Sequence, residues 1–283
     1  MNQSHQQLVS TLTPLSKSSS INEPEPIFCR FCDHEIEYVL RDIPIVGRRW
    51  CANACSCEVD SIEKMRQEQR QRLKRNRIDR ALKLSSMKEE LLQLTFTTFH
   101  QVTGSETAYE EMKQAVTNFE ERGKVGIMLF GETGNGKTHL TAAGANEMIK
   151  RGYSVIFLTE KDLFSRLSET KRFSNPESLS EIMQTCYEAD LLIWDDFLSS
   201  QRLSAEEKDW TFQIVNGRER ANKPIWFTSN LSAEEFEHKQ TPFKLDDKGR
   251  TWWRILANCV CVYNRANNFR EQLVIKRARG MKA

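Results

Sequence analysis

The stretch GETGNGKT, residues 131–138, constrains this chain more than any other. Gly131, Gly136, Lys137 and Thr138 fit G-x-x-x-x-G-K-[ST]. An apolar run, VGIMLF, precedes the match, and THLTAAGANEMIK, rich in helix formers, follows it. Strand, glycine turn and helix in that order aim successive backbone N–H groups at one point. The helix N-terminus adds its partial positive charge. This is a cradle for a triphosphate. Lys137 is expected to reach the β- and γ-phosphates, and the Thr138 hydroxyl to hold Mg²⁺. Glu132, Thr133, Gly134, Asn135 and His139 complete the expected nucleotide-contacting set.

Two more apolar runs end in polar residues. In LLIWDD, residues 191–196, a strand reaches its carboxyl end at two aspartates, where ligands bind in open α/β sheets. Asp195 is expected in the outer shell of Mg²⁺. Asp196 would orient or deprotonate the attacking water. In IWFTSN, residues 225–230, Asn230 could reach that water or could cap the next helix. Ser232 with Glu235 three residues on makes a capping box, which leaves Asn230 freer for the nucleotide.

From about residue 91 the chain alternates short apolar runs (VGIMLF, YSVIFL, ADLLIWDD, KPIWFTSN, NCVCVY) with helical segments. The pattern predicts an α/β fold with a parallel five-stranded sheet and helices on both faces. The runs do not alternate apolar with polar, as strands buried on both faces require. Ahead of this core lie a Ser-, Gln- and Pro-rich tail (1–26, expected to be disordered), a cysteine-rich module (27–60) and a basic helical linker (61–90). No apolar run nears the ~20 residues of a membrane span, and the N-terminus has no apolar signal core. The expected setting is the cytoplasm, where the eight cysteines would stay reduced.

The set GETGNGKTHL, ADLLIWDDF and KPIWFTSNLSAEEF resembles the AAA+ ATPases of the bacterial replicative helicase loader family (DnaC/DnaI type) and the related IstB-like transposition helpers. LQLTFTTF, ahead of the core, is similar to the segment that opens their ATPase domain. The resemblance covers about residues 90–275. It implies an AAA+ P-loop core without a helical lid domain, an expectation with which the short stretch after Tyr263 agrees. It also implies ATP hydrolysis, self-association into a nucleotide-dependent oligomer, a DnaB-type hexameric helicase as partner and single-stranded DNA as the place of loading. In DDKGRTWWRI, Arg250 and Arg254 share a helix face. Arg250 matches the first arginine of the family's R-x-x-x-R helix and would act on a neighbour's γ-phosphate, with Arg254 as its support. Arg270, in NNFRE, matches the family's sensor-2-like arginine, which would contact the same subunit's nucleotide. Trp252 and Trp253 stand where the family usually has smaller residues.

Cys29-x2-Cys32 is followed by Cys51-x3-Cys55-x-Cys57. A C-x2-C turn presents two thiolates to one tetrahedral metal, and a second pair completes a Zn²⁺ site. So small a module needs the metal for its folding energy. Three cysteines compete for two places, and His34 is a further candidate. Loaders that carry zinc often end their cluster in C-x-C and an acid, as CSCE does. The resemblance thus implies Cys29, Cys32, Cys55 and Cys57, with Cys51 as substitute. Reduced bystander thiols, redox sensing and an iron–sulfur cluster are the other readings. Cys186, Cys259 and Cys261 read as core thiols.

Residues 64–83 hold nine Lys or Arg and two acids, against a net charge of +2 for the chain. Such a helix could follow a phosphate backbone, serve as a solvated linker, or dock on an acidic helicase surface. With no aromatic residue in it, base stacking is not expected there. The leading function is ATP-dependent loading of a hexameric replicative helicase onto single-stranded DNA. The alternative is an IstB-like ATPase that assembles on DNA and recruits a transposase. The cysteine module favours the loader. A small-molecule kinase fits poorly with the DD, TSN and R-x-x-x-R series. Asp196, shorter than the Glu of fast AAA+ ATPases, points to slow hydrolysis and keeps open a nucleotide-gated scaffold that barely hydrolyses ATP.

Overall fold

A computed structural model describes residues 24–172, 175–200 and 202–278. Almost all of the tail expected over 1–26 lies outside them. The chain divides into two compact units between Gln71 and Arg72. Among the described residues no helix is long and apolar enough to cross a membrane.

The first unit is built from two antiparallel pairs. Strands β1 (Ile27–Phe28) and β2 (Glu35–Ile36) flank the first cysteine pair, and β3 (Tyr38–Ile43) and β4 (Gly47–Ala52) form a hairpin. Helix α1 (Ser56–Leu84) begins in this unit. Among the unit's described residues only Cys29 and Cys55 are buried. The interior of this module is therefore its thiol cluster, with no apolar core around it.

In the second unit five parallel strands are ordered β6-β7-β8-β5-β9, with β5 (Gly126–Phe130), β6 (Val155–Thr159), β7 (Leu191–Asp195), β8 (Ile225–Ser229) and β9 (Cys259–Tyr263). All five apolar runs are strands. Successive side chains face opposite sides, and both sides are covered. Met128, Ile156, Leu192, Trp194 and Phe227 pack in one core, beneath α6 (Glu160–Glu169), α7 (Leu179–Glu188), α8 (Ala205–Arg220) and α10 (Arg250–Ala257). Ile127, Leu129, Phe157, Ile193 and Trp226 pack in the other, with α3 (Glu106–Thr117) and α5 (Lys137–Lys150). Short helices α2 (Glu89–Leu92), α4 (Phe119–Arg122) and α9 (Ala233–Glu237) lie in the connections, and α11 (Phe269–Ala278) follows β9. The capping box of α9 forms as read: Ser232 Oγ accepts from Glu235 N–H at 3.1 Å, and the Glu235 carboxylate accepts from Ser232 N–H at 2.9 Å.

Two expectations are corrected. The helix expected over 61–90 starts earlier and stops at Leu84. Ser85 and Ser86 turn away to satisfy the outer edge of β6. Ser86 N–H donates to Phe157 O at 2.8 Å, and Phe157 N–H donates to Ser85 Oγ at 3.0 Å. Edge-strand backbone left unpaired is costly, and hydroxyls compete well for such groups. Cys186 is fully buried, as expected. Cys259 is half-buried, and Cys261 is exposed because β9 is an outer strand of the sheet.

Candidate nucleotide site and cysteine cluster

Strand β5 ends at Phe130, and the loop 131–136 leads directly into α5. The close packing here requires glycine. A Cβ on Gly134 would sit 2.1 Å from Asn268 Oδ1, and one on Gly136 would sit 2.8 Å from the Phe99 ring. Both have positive φ, 79° and 92°, which glycine adopts without strain. Lys137 is 5% exposed. Its ammonium donates to Gly131 O at 2.8 Å, to Glu132 O at 2.8 Å and to Asn135 Oδ1 at 3.0 Å. Burial lowers its pKa to about 8, against the pull of Asp196 and Asp195.

Asp195 ends β7 and is buried. The Thr138 hydroxyl, in the first turn of α5, faces it at 3.1 Å, and Thr228 Oγ1 donates to it at 2.5 Å. Loss of solvent pushes the Asp195 pKa up to about 6. A buried carboxylate beside a hydroxyl oxygen is a hard-oxygen donor pair, and it fits Mg²⁺. Asp196 follows with φ 54°, so the chain turns sharply there. Its N–H donates to Thr228 Oγ1 at 2.9 Å, and its carboxylate accepts from Asn230 Nδ2 at 3.3 Å.

A cavity of about 530 Å³ gathers Thr133 through His139, Asp196, Asn230 and Arg270 along its walls. Arg270 arrives on α11, whose first residue, Phe269, donates its N–H to Gly134 O at 2.9 Å. The segment ahead of the core also lines the cavity, with Leu91, Leu94, Phe99 and Val102 as its apolar residues beside Thr98 and His100. These suit a flat ring. Gly131 and Glu132 lend their carbonyls to Lys137. His139 is turned towards the segment ahead of the core: its Nε2 lies 3.1 Å from Thr95 O, and its ring meets Phe99 edge-on at 5.2 Å. Burial lowers its pKa.

Arg250 and Arg254 are away from this cavity. Both lie over the Phe212 ring, at 5.8 and 5.7 Å, so they do share one face of α10. Arg254 is pinned: its Nε is 3.1 Å from the Glu219 carboxylate and its Nη1 donates to Asn216 Oδ1 at 2.8 Å. Arg250 is mostly exposed, with Asp246 at 4.0 Å. Trp252 is buried against Phe236, while Trp253 stands 61% exposed on the same helix.

Three residues were missed by sequence reasoning. Thr228 ties β8 to both aspartates. Asn264 and Asn135 clasp one another through side-chain amide and backbone carbonyl. Glu160 is fully buried, and accepts from Leu198 N–H at 2.7 Å and Ser200 N–H at 3.1 Å, holding the turn after Asp196. Burial raises its pKa. Thr228 had a signal in the TSN strand end; an isolated Asn or Glu carries none.

In the first unit the thiols of Cys29, Cys32, Cys55 and Cys57 all lie within 4.8 Å of one another. Cys29 and Cys57 are 3.5 Å apart, and Cys32 and Cys55 3.4 Å. Four sulfurs around Zn²⁺ at ~2.3 Å would stand about 3.8 Å apart, so the cluster fits a zinc module ahead of the core. The chain turns tightly between the first pair: Asp33 adopts φ 58°, its N–H donates to Cys29 O, and Cys29 N–H donates to His34 O. Aspartate tolerates that conformation. Cys55 accepts the first backbone bonds of α1, which sets Cys57 in the opening turn. Backbone N–H groups of Phe31 and Cys32 lower the Cys29 pKa to about 7. Cys51 lies outside the cluster, its thiol against Arg49 O, and His34 Nδ1 is 3.3 Å from Cys32 O.

A family model described as IstB-like ATP binding protein matches residues 49–273. The replicative helicase loader DnaC of Escherichia coli K12 is 33% identical over 133 residues, 47% of this chain and 53% of that protein. The replicative helicase loader DnaI of Bacillus subtilis 168 is 31% identical over 166 residues, 56% of this chain and 52% of that protein. The chain thus spans about half the length of these relatives. A crystal structure of the DnaC helicase loader superposes with a TM-score of 0.54 at 22% identity, over 63% of this chain and all of that one, a likeness of fold.

Proposed function

Because the chain belongs to the IstB-like ATP-binding family, we propose that it is an ATPase that loads a hexameric DnaB-type replicative helicase onto single-stranded DNA. The observation that carries the chemistry is the convergence of the phosphate loop, Asp196, Asn230 and Arg270 on one cavity, beside Thr138 and Asp195. The loader relatives and the four-cysteine module support the choice of partner.

In this reading ATP lies with its base against Leu94 and Phe99 and its phosphates over 131–138. Thr138 and Asp195 would hold Mg²⁺, which when bound supplies charge neutralisation at the β- and γ-phosphate oxygens. Lys137 exchanges loop carbonyls for phosphate oxygens. Asp196 orients a water for in-line attack on the γ-phosphorus, and Asn230 holds the Asp196 carboxylate in place. The bond from the γ-phosphorus to the β-bridging oxygen breaks, leaving ADP and phosphate. Arg270 steadies the same subunit's phosphates. Arg250 would reach the γ-phosphate bound to a neighbouring copy in a nucleotide-dependent oligomer, with Arg254 fixed as its support. Four thiolates would hold Zn²⁺ and shape the module that meets the helicase.

Native mass measurement of the zinc-loaded protein mixed with a replicative helicase hexamer, with and without a non-hydrolysable ATP analogue, tests this. A complex whose formation depends on nucleotide is the expected result. No complex, together with ATP-dependent filaments on duplex DNA, would overturn it in favour of the transposition helper.

A further inference from the structure

Helix α1 carries nine cations between residues 64 and 83, and the fold divides them into two sets. Arg77 is paired with Asp190 at 3.2 Å, Arg80 with Glu188 at 2.7 Å and Lys83 with Glu177 at 3.5 Å. Ala81 and Leu84 are buried beside them. This end of the helix is structural. The rest differs. Every residue from 61 to 76 is exposed, and Lys64, Arg66, Arg70, Arg72, Lys74 and Arg75 make no ion pair among the described residues.

A helix whose charges only keep it in solution is laced with opposite charges four residues apart. Here Glu63 and Glu68 are the acids between 61 and 76, and neither is ion-paired among the described residues. Glu68 does stand four residues from both Lys64 and Arg72, and Glu63 three from Arg66, but six cations face these two acids, and like charges also fall at helical neighbour spacing: Arg66 with Arg70, Arg70 with Lys74, and Arg72 with Arg75. Such pairs oppose the helix they stand on. A polyanion would relieve that repulsion. The six cations span about 16 Å of helix and spread around roughly two-thirds of its circumference at ~100° per residue. Ile62, Met65 and Leu73 take the remaining arc. An acidic protein surface would meet one face only. A flexible strand can follow charges around a helix. With no aromatic side chain between 61 and 76, there is nothing to stack on bases.

We propose that residues 64–75 bind the phosphate backbone of single-stranded nucleic acid without regard to sequence. The inference rests on the reading of the chain as a factor acting on single-stranded DNA, and it supplies a surface which that reading leaves unassigned. Binding of a labelled 30-nucleotide oligo-dT and of a mixed-sequence strand to the full-length, zinc-loaded protein, followed by anisotropy across a KCl series, tests it. About four phosphate contacts give a slope of log affinity on log salt near −3. The two strands should bind alike. Replacing the six residues with glutamine should flatten the slope by about 2 or more and weaken binding at least about tenfold at ~0.1 M salt, with basal ATP hydrolysis and zinc content retained. A second variant, R77Q/R80Q/K83Q, removes as many as three charges that are already engaged, and should leave the slope unchanged. An unchanged slope in the sixfold variant would overturn the proposal. So would loss of helicase binding with DNA binding intact, which would make the stretch an acidic-protein contact. Failure of the wild-type protein to bind any helicase would instead sink the loader reading, and would leave the salt slope standing.

Discussion

Asn135 and Asn264 exchange hydrogen bonds: the side-chain amide of each donates to the backbone carbonyl of the other at 2.8 Å. Both are almost fully buried. Asn135 also accepts from Lys137 through its Oδ1, and Asn264 N–H donates to Phe130 O at 2.8 Å. The phosphate loop and the segment that carries Arg270 into the cavity are thus one hydrogen-bonded piece. Asn264→Ala leaves the buried Asn135 carbonyl and the Ala266 N–H short of a partner, and should destabilise the protein by about 1–3 kcal/mol. It should also raise KM for ATP. Combining it with Asn135→Ala should cost less than the sum of the single variants. Thermal unfolding and steady-state hydrolysis read both effects. Strict additivity would mean that the two residues act separately.

Lys137→Ala should abolish ATP binding while the fold survives. The ammonium is desolvated and answered by two carbonyls and one amide oxygen, so its removal takes away a burden as well as three bonds. Equilibrium binding of a fluorescent nucleotide checks this. Affinity within a few-fold of wild type would remove the loop from the nucleotide site.

Mg²⁺-dependent nucleotide binding should weaken as pH falls through about 6, where Asp195 takes up a proton and loses its charge. The stability of the nucleotide-free protein should move the other way. The folded-state pKa lies above the ordinary 3.8. The folded form therefore binds the extra proton between about 4 and 6, and the contribution of this group worsens as pH rises through that window. Asp195→Asn should remove both dependences. Titrations from pH 5 to 8 with and without Mg²⁺ give the comparison, and a profile unchanged in the variant would assign the titration elsewhere.

The five strands and the capping box at Ser232 were legible because each rests on local chemistry. A strand buried on both faces must be continuously apolar, and a capped helix end needs a hydroxyl and an acid three residues apart. The four clustered cysteines were legible only with the help of resemblance, since spacing alone left Cys51 and His34 open. What stayed hidden depends on partners distant in sequence. Ser85 breaks α1 because it meets Phe157, 72 residues away. Asn264 matters because it meets Asn135, 129 residues away. Glu160 reads as an ordinary helix-opening acid until the turn after Asp196 folds onto it.

The two arginines of α10 should separate in their effects. Arg250 has one long contact with a carboxylate and is largely in solvent, so Arg250→Ala should leave the melting temperature unchanged. If Arg250 acts on a neighbour's nucleotide, this variant keeps ATP binding and loses the rise in specific hydrolysis with protein concentration. Arg254→Ala breaks contacts to Glu219 and Asn216, and should destabilise the protein by about 1 kcal/mol. Hydrolysis measured across a concentration series tests the assignment. An unchanged rate in Arg250→Ala would transfer the role to Arg254.

Metal removal should unfold the first unit and spare the second. Its described residues have Cys29 and Cys55 as their buried side chains, and so small a module cannot stand on an apolar core it lacks. Four thiols crowded within 4.8 Å cannot all ionise without a cation between them, and only weak S–H contacts then hold the cluster. Chelation, or Cys32→Ser, should therefore expose residues 27–55 to rapid amide exchange and proteolysis. The sheet with its phosphate loop draws on a separate core, so ATP binding should persist. Cys51→Ser, outside the cluster with its thiol on Arg49 O, should keep a full equivalent of zinc. Exchange measured by mass spectrometry, alongside metal content, decides the matter. Zinc lost from Cys51→Ser but retained in Cys32→Ser would exchange the two ligands, and protection unchanged by chelation would mean that the module folds without its metal.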